Sequence, residues 1–387
     1  MKIDSITLQG FRCFGTTPTV IRLSDGITAL VGANASGKTA LLEGLSRVFG
    51  VTSKQRTILR SDFYLPPGTS TDDRSERELY IDVRLIFPEL EKNGTARPTT
   101  VPPCFNHMVV EELNSIPFVR VRLEAKWIND GTVDGDVEQK LWWVLSDDES
   151  PKDDKKRPCE ASERGLIQVH YVPATRDPSS QLTSATGAMV GRLLRAIAWS
   201  PETQESIQTA SQQIREVFGK ESAITSINQT LASRWKDLHD DPFDAEPEFN
   251  IASQKFEEII RRLNVVFRPN ELNDERELDA LSDGQKSLFY FSLVASVFEV
   301  ERKFIYASSE KDLNQQDTTA TLEKTEIDGM ESRSITGFHP RRLQTPALVI
   351  FAFEEPENHL APYFLSRIIK QVRSLVEEQT AQAILTS

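Results

Sequence analysis

The first fifty residues change from strand-like to helix-like hydrophobic patterning. Residues 2–8 and 19–31 alternate apolar and polar positions or form short apolar runs, which predicts β-strands. Residues 38–49 place leucine and valine on one face at helical spacing, which predicts an amphipathic helix. The chain therefore begins with strands that lead into a helix.

Dense β-branched and aromatic residues predict a second group of strands. They lie at residues 78–87, 118–127 and 138–145, with a short strand at 167–172 and an apolar run at 347–353 that is typical of a buried strand. Together these patterns predict an α/β fold in which a parallel-core sheet lies beside an antiparallel β lobe.

The middle of the chain has a different pattern. Residues 184–266 show helical spacing in several stretches and predict a helical subdomain inserted into a core of residues 1–183 and 267–387. Residues 146–166 and 307–346 are polar and predict solvated insertions. The apolar faces of the inserted helices make 184–266 a candidate dimerisation element, although such faces more often form ordinary core.

Composition narrows the class of protein. The 387 residues are 39% hydrophobic and 27% charged, which is typical of a soluble globular protein, and no run of 18 apolar residues predicts a membrane span. The N-terminus lacks a secretory pattern, so we expect a cytoplasmic protein without a membrane partner. Three scattered cysteines disfavour a disulfide framework and a zinc site.

The net charge of −13 argues against a surface coated by nucleic acid. DNA would have to meet a local basic patch, and each candidate can equally be a solvated surface residue. The candidates are Lys54, Arg56, Arg60, Arg192, Arg195, Arg341 and Arg342.

One segment fits a phosphate-binding loop at every defined position. It is Gly32, Ala33, Asn34, Ala35, Ser36, Gly37, Lys38 and Thr39, directly after an apolar strand and before the amphipathic helix. The backbone amides and the helix N-terminus favour phosphates, Lys38 would reach the β and γ phosphates of ATP, and Thr39 would offer a hydroxyl to Mg²⁺. A Gly-rich turn before a helix would not need Lys38 and Thr39.

A second helix start is a candidate anion site. Ser282 is placed to cap a helix over residues 285–300, and its segment is Leu281, Ser282, Asp283, Gly284 and Gln285. Alone, this pattern could be a plain helix cap. Beside a phosphate loop, it indicates a group that grips the γ-phosphate of a nucleotide held by another copy of the chain.

Two acidic residues follow the apolar run at 347–353. Carboxylates at the C-terminal end of a strand lie where open parallel sheets bind ligands. Glu354 is the candidate for holding Mg²⁺ through water, and Glu355 for orienting and deprotonating the water that attacks the γ-phosphate. The alternative is a solvated acidic turn.

The segments GANASGKT, LSDGQ and FAFEEPENHL resemble the ABC ATPases of the structural-maintenance, recombination and repair class. The resemblance implies an ABC-type P-loop NTPase in which two heads sandwich two ATP molecules. Residues 3–14, 61–64 and 171–178 are similar to the N-terminal ATPase domain of the OLD (overcoming lysogenization defect) family of ATP-dependent endonucleases.

This resemblance also implies roles for single residues. Asp62 falls where a residue would sense the γ-phosphate and contribute to the metal site, and His359 would face the partner head. Arg176 is a candidate contact to nucleotide or DNA, with a structural ion pair as the more frequent alternative. Glu354 departs from the Asp of many ABC proteins.

The resemblance places a switch histidine and a Toprim nuclease domain after Ser387, so we expect a truncated protein with no nuclease activity of its own and slow hydrolysis. The first hypothesis is the ATPase domain of an OLD-family endonuclease in anti-phage defence or DNA processing, acting as a homodimer of heads with DNA as the partner of the full-length protein. The alternative is a stand-alone ABC ATPase subunit with a separate effector protein. A transporter's nucleotide-binding subunit is disfavoured by the large insertion.

Overall fold

The computed structural model describes most of the chain. The described residues are 1–70, 73–88, 116–132, 135–173, 179–238, 247–249, 256, 258, 265–267, 276–315, 337–338, 346–358, 362–377 and 381–387. The expectations for Arg176, Arg341, Arg342 and His359 lie outside them. Two compact units are formed, one by Met1–Ala188, Asp279–Ile305 and Gln344–Ser387, the other by Met189–Leu278 and Tyr306–Leu343.

The described strands and helices follow one another in chain order. The strands are β1 (Lys2–Gln9), β2 (Thr19–Arg22), β3 (Ile27–Leu30), β4 (Arg77–Ile86), β5 (Phe118–Ile128), β6 (Asp136–Val144), β7 (Lys156–Pro158), β8 (Ile167–Val172), β9 (Val266–Phe267), β10 (Arg276–Glu277), β11 (Leu348–Glu354) and β12 (Ala381–Thr386). The helices are α1 (Lys38–Phe49), α2 (Ser53–Arg56), α3 (Ala161–Arg164), α4 (Ser179–Ala196), α5 (Pro201–Gly219), α6 (Ser222–Leu238), α7 (Asp283–Gln315) and α8 (Pro362–Val376).

The first unit contains two sheets of opposite type. The antiparallel sheet has the strand order β2-β1-β4-β5-β6-β7, and the other sheet has the order β3-β12-β11-β8 with every pairing parallel. Because parallel strands share a direction, the carboxyl ends of β3, β12, β11 and β8 meet at one edge. The phosphate loop follows β3 and the acidic pair ends β11, so the topology brings the two predicted motifs to the same edge.

Strand β11 is buried on both faces of the parallel sheet. All its residues are buried, and alternate side chains point to opposite faces. Phe351 and Phe353 meet the Phe291 ring of α7 at centroid distances of 6.3 Å and 5.4 Å. The alternating residues on the opposite face belong to the hydrophobic cluster that also contains residues of α1. These residues are Leu348, Ile350 and Ala352. The sheet is therefore covered by α7 on one face and α1 on the other.

Helix α1 also packs against the antiparallel sheet. A Cβ added at Gly44 would lie 3.0 Å from the Leu8 side chain and within 4 Å of Phe11 and Ile81, so only glycine allows this close approach. The predicted bounds of the helix are confirmed. One hydrophobic cluster contains residues of both sheets and of α1, which fixes the phosphate-loop helix between the two sheets.

The predicted α/β architecture is confirmed: the first unit contains the parallel core sheet and the antiparallel lobe, and helices predominate in the described part of the second unit. The segment 19–31 contains strands, as predicted, and they enter different sheets: β2 pairs with β1 in the antiparallel sheet, and β3 pairs with β12 in the parallel one. Local hydrophobicity gives no indication of the change of sheet within this segment.

The segment 146–166, predicted as a solvated loop or hairpin tip, joins β6 to the antiparallel strand β7 and is mostly exposed. The segment contains β7 and α3, and β7 adds a sixth strand beside β6. Arg120 donates to the Ser146 and Asp148 carbonyls, and the buried Glu163 accepts a 2.8 Å hydrogen bond from the Trp143 indole. These partners lie on other strands, so the composition of the segment alone could not show them.

The described part of the second unit is mainly helical and also contains the short antiparallel pair β9 and β10. Helix α5 begins with Pro201 after the Ser200 cap, and the Trp199 and Phe256 rings meet edge to face at 5.4 Å. The Ala198 amide donates to the Gly337 carbonyl at 2.9 Å, so Gly337, within the insertion predicted at 307–346, contacts this unit. Among the described helices, none is long and apolar enough to cross a membrane.

Candidate nucleotide site

The loop between β3 and α1 has the backbone shape of a phosphate cradle. Ala35 and Gly37 have φ of 63° and 97°, in the left-handed region that glycine adopts readily. A Cβ on Gly37 would lie 3.1 Å from the Cys13 sulfur and 3.3 Å from the Phe14 ring, so this position requires glycine for space as well as for conformation. Residues 31–36 are exposed, which leaves the loop accessible to a ligand.

Lys38 folds back over the loop. Its Nζ donates to the Gly32 carbonyl at 2.6 Å and to the Ala33 carbonyl at 3.1 Å. The ammonium group is thus held directly above the loop, where a cation is positioned to meet phosphate oxygens.

Glu354 lies between two hydroxyl groups. The Thr39 hydroxyl donates to Oε1 of Glu354, and the Tyr171 hydroxyl donates to Oε2. The glutamate is buried, and burial, followed by the charge of Glu354, raises the pKa of Tyr171, so the phenol keeps its proton. The structure brings together the phosphate loop and the strand-end acid that the sequence separates by more than 300 residues.

This pair of oxygen donors suits a hard cation. A hydroxyl and a carboxylate are ligands typical of Mg²⁺, which keeps several waters and phosphate oxygens in its coordination shell. Among the described residues, no group of three or more His, Cys, Asp and Glu could hold a metal by itself. Thr39 and Glu354 therefore fit an ion whose remaining ligands are phosphate and water, while a cage made only of protein is absent from the described part.

Glu355 adopts a strained backbone conformation at the end of β11. Its φ is 42°, which costs a non-glycine residue energy, and its amide donates to the Thr386 carbonyl at 2.9 Å. The half-buried side chain adjoins a small cleft lined also by Val172, Ser287 and Ile368. The Glu354 side chain is buried, and the Glu355 side chain is half-buried beside this cleft.

The predicted cap of α7 is confirmed. The Gln285 amide donates to the Ser282 hydroxyl at 3.4 Å, and the Ser282 amide donates to the Gln285 side-chain carbonyl at 3.1 Å, which forms a capping box. The helix begins at Asp283, and Gly284 follows within its first turn. These contacts lie within the segment itself, so its predicted action on a second copy stays a prediction.

Asp62 does not fit the predicted metal and γ-phosphate role. Its side chain is 0% exposed, and its oxygens accept from Arg12 at 2.9 Å, from Arg47 at 2.7 Å and from the Leu59 amide at 3.0 Å. Burial alone would raise the pKa of Asp62, but the hydrogen bonds from Arg47 and Leu59 and the charge of Arg47 hold it below its usual range. The carboxylate is fully engaged by the protein, which gives it a structural role.

Two of the basic residues considered for DNA also have internal partners. Arg56 donates to the Gly50 and Val51 carbonyls, and the Arg60 guanidinium lies 4.8 Å from the centre of the Trp127 ring. No pattern in the sequence indicated a role for Tyr171 at the site. A strand tyrosine predicts only burial, and its contact with Glu354 depends on the register between β8 and β11.

Comparison with known families identifies an ATPase segment. Residues 1–97 match the family described as AAA ATPase domain, and this range includes β1, the phosphate loop and α1. The chromosome partition proteins Smc of Mycobacterium tuberculosis and Mycolicibacterium paratuberculosis are 46% identical over 50 residues, which are 13% of this chain and 4% of those proteins. The matched segment therefore spans a small fraction of these relatives.

Solved Smc heads overlap the chain at low similarity. A head bound to the C-winged helix domain of ScpA has 13% identity and a TM-score of 0.39, and the overlap covers 100% of this chain and 90% of that one. The SMC head domain from Thermotoga maritima has 13% identity and a TM-score of 0.35, with the same coverage. The ATPase assignment rests on the matched N-terminal segment together with the loop geometry and the strand order of this chain.

Proposed function

We propose that this chain binds ATP with Mg²⁺ and hydrolyses it at the edge formed by β3, β11 and β12. The observation that supports this most directly is the hydrogen bond from Thr39 to Glu354. It joins the last residue of the phosphate loop to the acid at the end of a buried parallel strand, which are the two parts that P-loop ATPases use to hold the metal. A helix cap or a solvated acidic turn would not need this contact.

Different residues have different roles in phosphate transfer. The amides of the loop and the N-terminus of α1 bind the phosphates, and Lys38 moves from the loop carbonyls to phosphate oxygens. Bound Mg²⁺ would supply charge neutralisation on the β and γ phosphates. Glu355 orients the attacking water and accepts its proton, and its position beside the cleft at the end of β11 supports this role.

We further propose that two copies act as a pair, with the segment Ser282, Asp283, Gly284 and Gln285 of one copy facing the γ-phosphate held by the other. The exposed Ser282 and Gln285 stand at the N-terminus of the long helix α7. A helix N-terminus attracts anions through its free amides and dipole. Closure on ATP would then follow from a phosphate that binds both copies.

The finer proposal is that this ATPase belongs to an OLD-family endonuclease, in which head closure regulates a Toprim nuclease that acts on DNA. It is supported by the sequence segments around residues 3–14, 61–64 and 171–178. The alternative is an ABC ATPase subunit of a defence or repair complex with a separate effector. ATP-dependent DNA cleavage by the full-length protein alone would support the first, and cleavage only after a second protein is added would support the alternative.

The test of ATP-driven pairing is the mass of the Glu355→Gln variant by light scattering, with and without Mg-ATP. Removing the proton acceptor should block hydrolysis and trap the closed pair, so we expect the mass to double when ATP is added. The matched control is Glu357→Gln, because Glu357 is an exposed neighbour whose carboxylate accepts from Ser387 at 2.7 Å. The control should continue to hydrolyse ATP.

Each outcome separates one part of the proposal from another. A dimer already present without ATP would mean that dimerisation does not depend on ATP-driven closure and uses another surface. A monomer in all conditions, despite measured ATP binding, would contradict the paired-head mechanism and leave ATP binding standing. Failure to bind Mg-ATP would contradict the function itself.

A further inference from the structure

We propose that Tyr171 is a positioning residue that fixes the Glu354 carboxylate for Mg²⁺ and thereby sets the metal requirement of nucleotide binding. This inference rests on the proposed function. It concerns a side chain that lies outside the phosphate loop, the cap of α7 and the acidic pair. Its evidence is the strand register, the hydrogen bond and the chemistry of the two hydroxyls around Glu354.

The register between β8 and β11 places Tyr171 on the same face as Glu354. Tyr171 pairs with Ala352, and paired residues of neighbouring strands point to the same side of a sheet. Glu354 is two positions after Ala352 on β11, so its side chain also points to that side. The phenol therefore extends along the sheet towards the strand end and reaches Oε2 of Glu354.

The longer side chain of glutamate explains why a second partner is useful. Compared with aspartate, glutamate has one more rotatable bond, so an unheld carboxylate would occupy several positions. Thr39 holds Oε1 and Tyr171 holds Oε2. With both oxygens held, the carboxylate has one orientation at the edge of the sheet.

The two hydroxyls would have different roles when the metal binds. Thr39 would offer its oxygen to Mg²⁺, whereas Tyr171 is only 7% exposed and holds Oε2 of Glu354. Tyr171 therefore orients Glu354 without being a proposed ligand itself.

The test is Tyr171→Phe, which removes the hydroxyl and keeps the ring. We would titrate Mg²⁺ at fixed fluorescent ATP analogue and record the concentration that gives half-maximal metal-dependent binding. Loss of a group that orients a metal ligand costs about 10-fold or more in metal affinity. We expect the Mg²⁺ midpoint to rise about 10-fold, with the affinity for the analogue in EDTA unchanged, because the phosphate loop itself is intact.

The matched control is Tyr290→Phe. Tyr290 is also a buried tyrosine of the same unit, and no hydrogen-bond partner of its hydroxyl is found among the described residues. Its Mg²⁺ midpoint should equal that of the wild type. Thermal melting of each variant without ligand separates a general loss of stability from a shift confined to the metal titration.

A second variant tests the coupling to Glu354. In Glu354→Asp the shorter side chain should no longer reach the phenol, so adding Tyr171→Phe should shift the midpoint by much less than it does alone. Equal shifts in both backgrounds, or an unchanged midpoint in Tyr171→Phe while the wild type binds Mg-ATP, would overturn the inference alone. A wild type that fails to bind Mg-ATP would overturn the proposed function and the inference together.

Discussion

The first unit contains two buried carboxylates with contrasting surroundings. Glu354 ends a strand of the parallel sheet and accepts hydrogen bonds from the hydroxyls of Thr39 and Tyr171. Asp62 lies beside the antiparallel lobe and accepts from the guanidinium groups of Arg12 and Arg47. One carboxylate has neutral partners, and the other has cationic partners.

The difference separates a site for a cation from a structural ion pair. The hydroxyl donors hold the Glu354 carboxylate without bringing a cation of their own, which fits its proposed role as a Mg²⁺ ligand. Two guanidinium groups neutralise Asp62 and fill its acceptor positions, so a second cation would gain little there. Burial and acidity are common to both residues, and the charge of the partners distinguishes them.

The strongest test of this contrast is Glu354→Gln. The amide has nearly the shape of the carboxylate but lacks the charge, so ATP hydrolysis should fall by about 100-fold or more, since metal charge stabilisation contributes several kcal/mol and each 1.36 kcal/mol is tenfold in rate. The measurement is phosphate release at saturating Mg-ATP. Thermal melting should show a folded protein.

Glu357→Gln is the control for this substitution, because it makes the same chemical change at an exposed glutamate three residues away. Its rate of phosphate release should match that of the wild type. Wild-type hydrolysis by Glu354→Gln would contradict the assignment of Glu354 to the metal and remove the difference between the two carboxylates.

The second test is Asp62→Asn, which should affect stability more than catalysis. Removing one charge of a buried ion pair costs about 3 kcal/mol, and here the amide leaves Arg12 and Arg47 without their shared negative charge. The free energy of unfolding in urea at pH 7 measures this. Phosphate release per folded molecule should remain near the wild-type rate.

Acid should reduce the difference between wild type and Asp62→Asn. The pKa of Asp62 in the folded protein lies below its usual value, so its contribution to stability is fully present above the unfolded pKa of about 3.9 and is lost as the pH falls through the lower folded pKa. The control Asp153→Asn, at a fully exposed aspartate, should have almost no effect at pH 7. A pH-independent deficit in Asp62→Asn would contradict the ionic role.

The sequence predicted the elements that depend on local pattern. The bounds of α1, the strands around residues 78–87, 118–127 and 167–172, and the cap at Ser282 all follow from periodicity or from side chains within one turn. The change of sheet between β2 and β3 depends on pairing with distant strands. Such pairing leaves no signal in the segment itself.

The candidate site likewise has features that depend on local sequence and features that depend on distant contacts. The phosphate loop and the acidic pair have sequence patterns because each is a contiguous segment with a fixed chemistry. The partners that distinguish Glu354 from Asp62 are Tyr171, Arg12 and Arg47, and each contacts its carboxylate only in the folded chain. The sequence pattern identified Glu354 as a candidate acid and the resemblance assigned Asp62 to the metal site, an assignment that the cationic partners of Asp62 do not support.

The smallest expected effect concerns the serine N-caps of two helices, one proposed to meet a nucleotide and one in the helical unit. Ser282 begins α7 and Ser200 begins α5, and each hydroxyl accepts from an amide three residues later, at 3.4 Å and 3.2 Å. Replacing an N-cap serine by alanine costs about 1 kcal/mol. Ser282→Ala and Ser200→Ala should therefore lose similar amounts of unfolding free energy in urea.

The two variants should differ once ATP is added. If Ser282 stands at the γ-phosphate of a nucleotide on a second copy, Ser282→Ala in the Glu355→Gln background should require more ATP before the mass doubles in light scattering. Ser200→Ala in the same background should need no more than the parent, because it loses the same kind of cap in the helical unit. Equal ATP requirements for both would mean that Ser282 only caps its helix, and the second copy would then have to meet the phosphate through other residues.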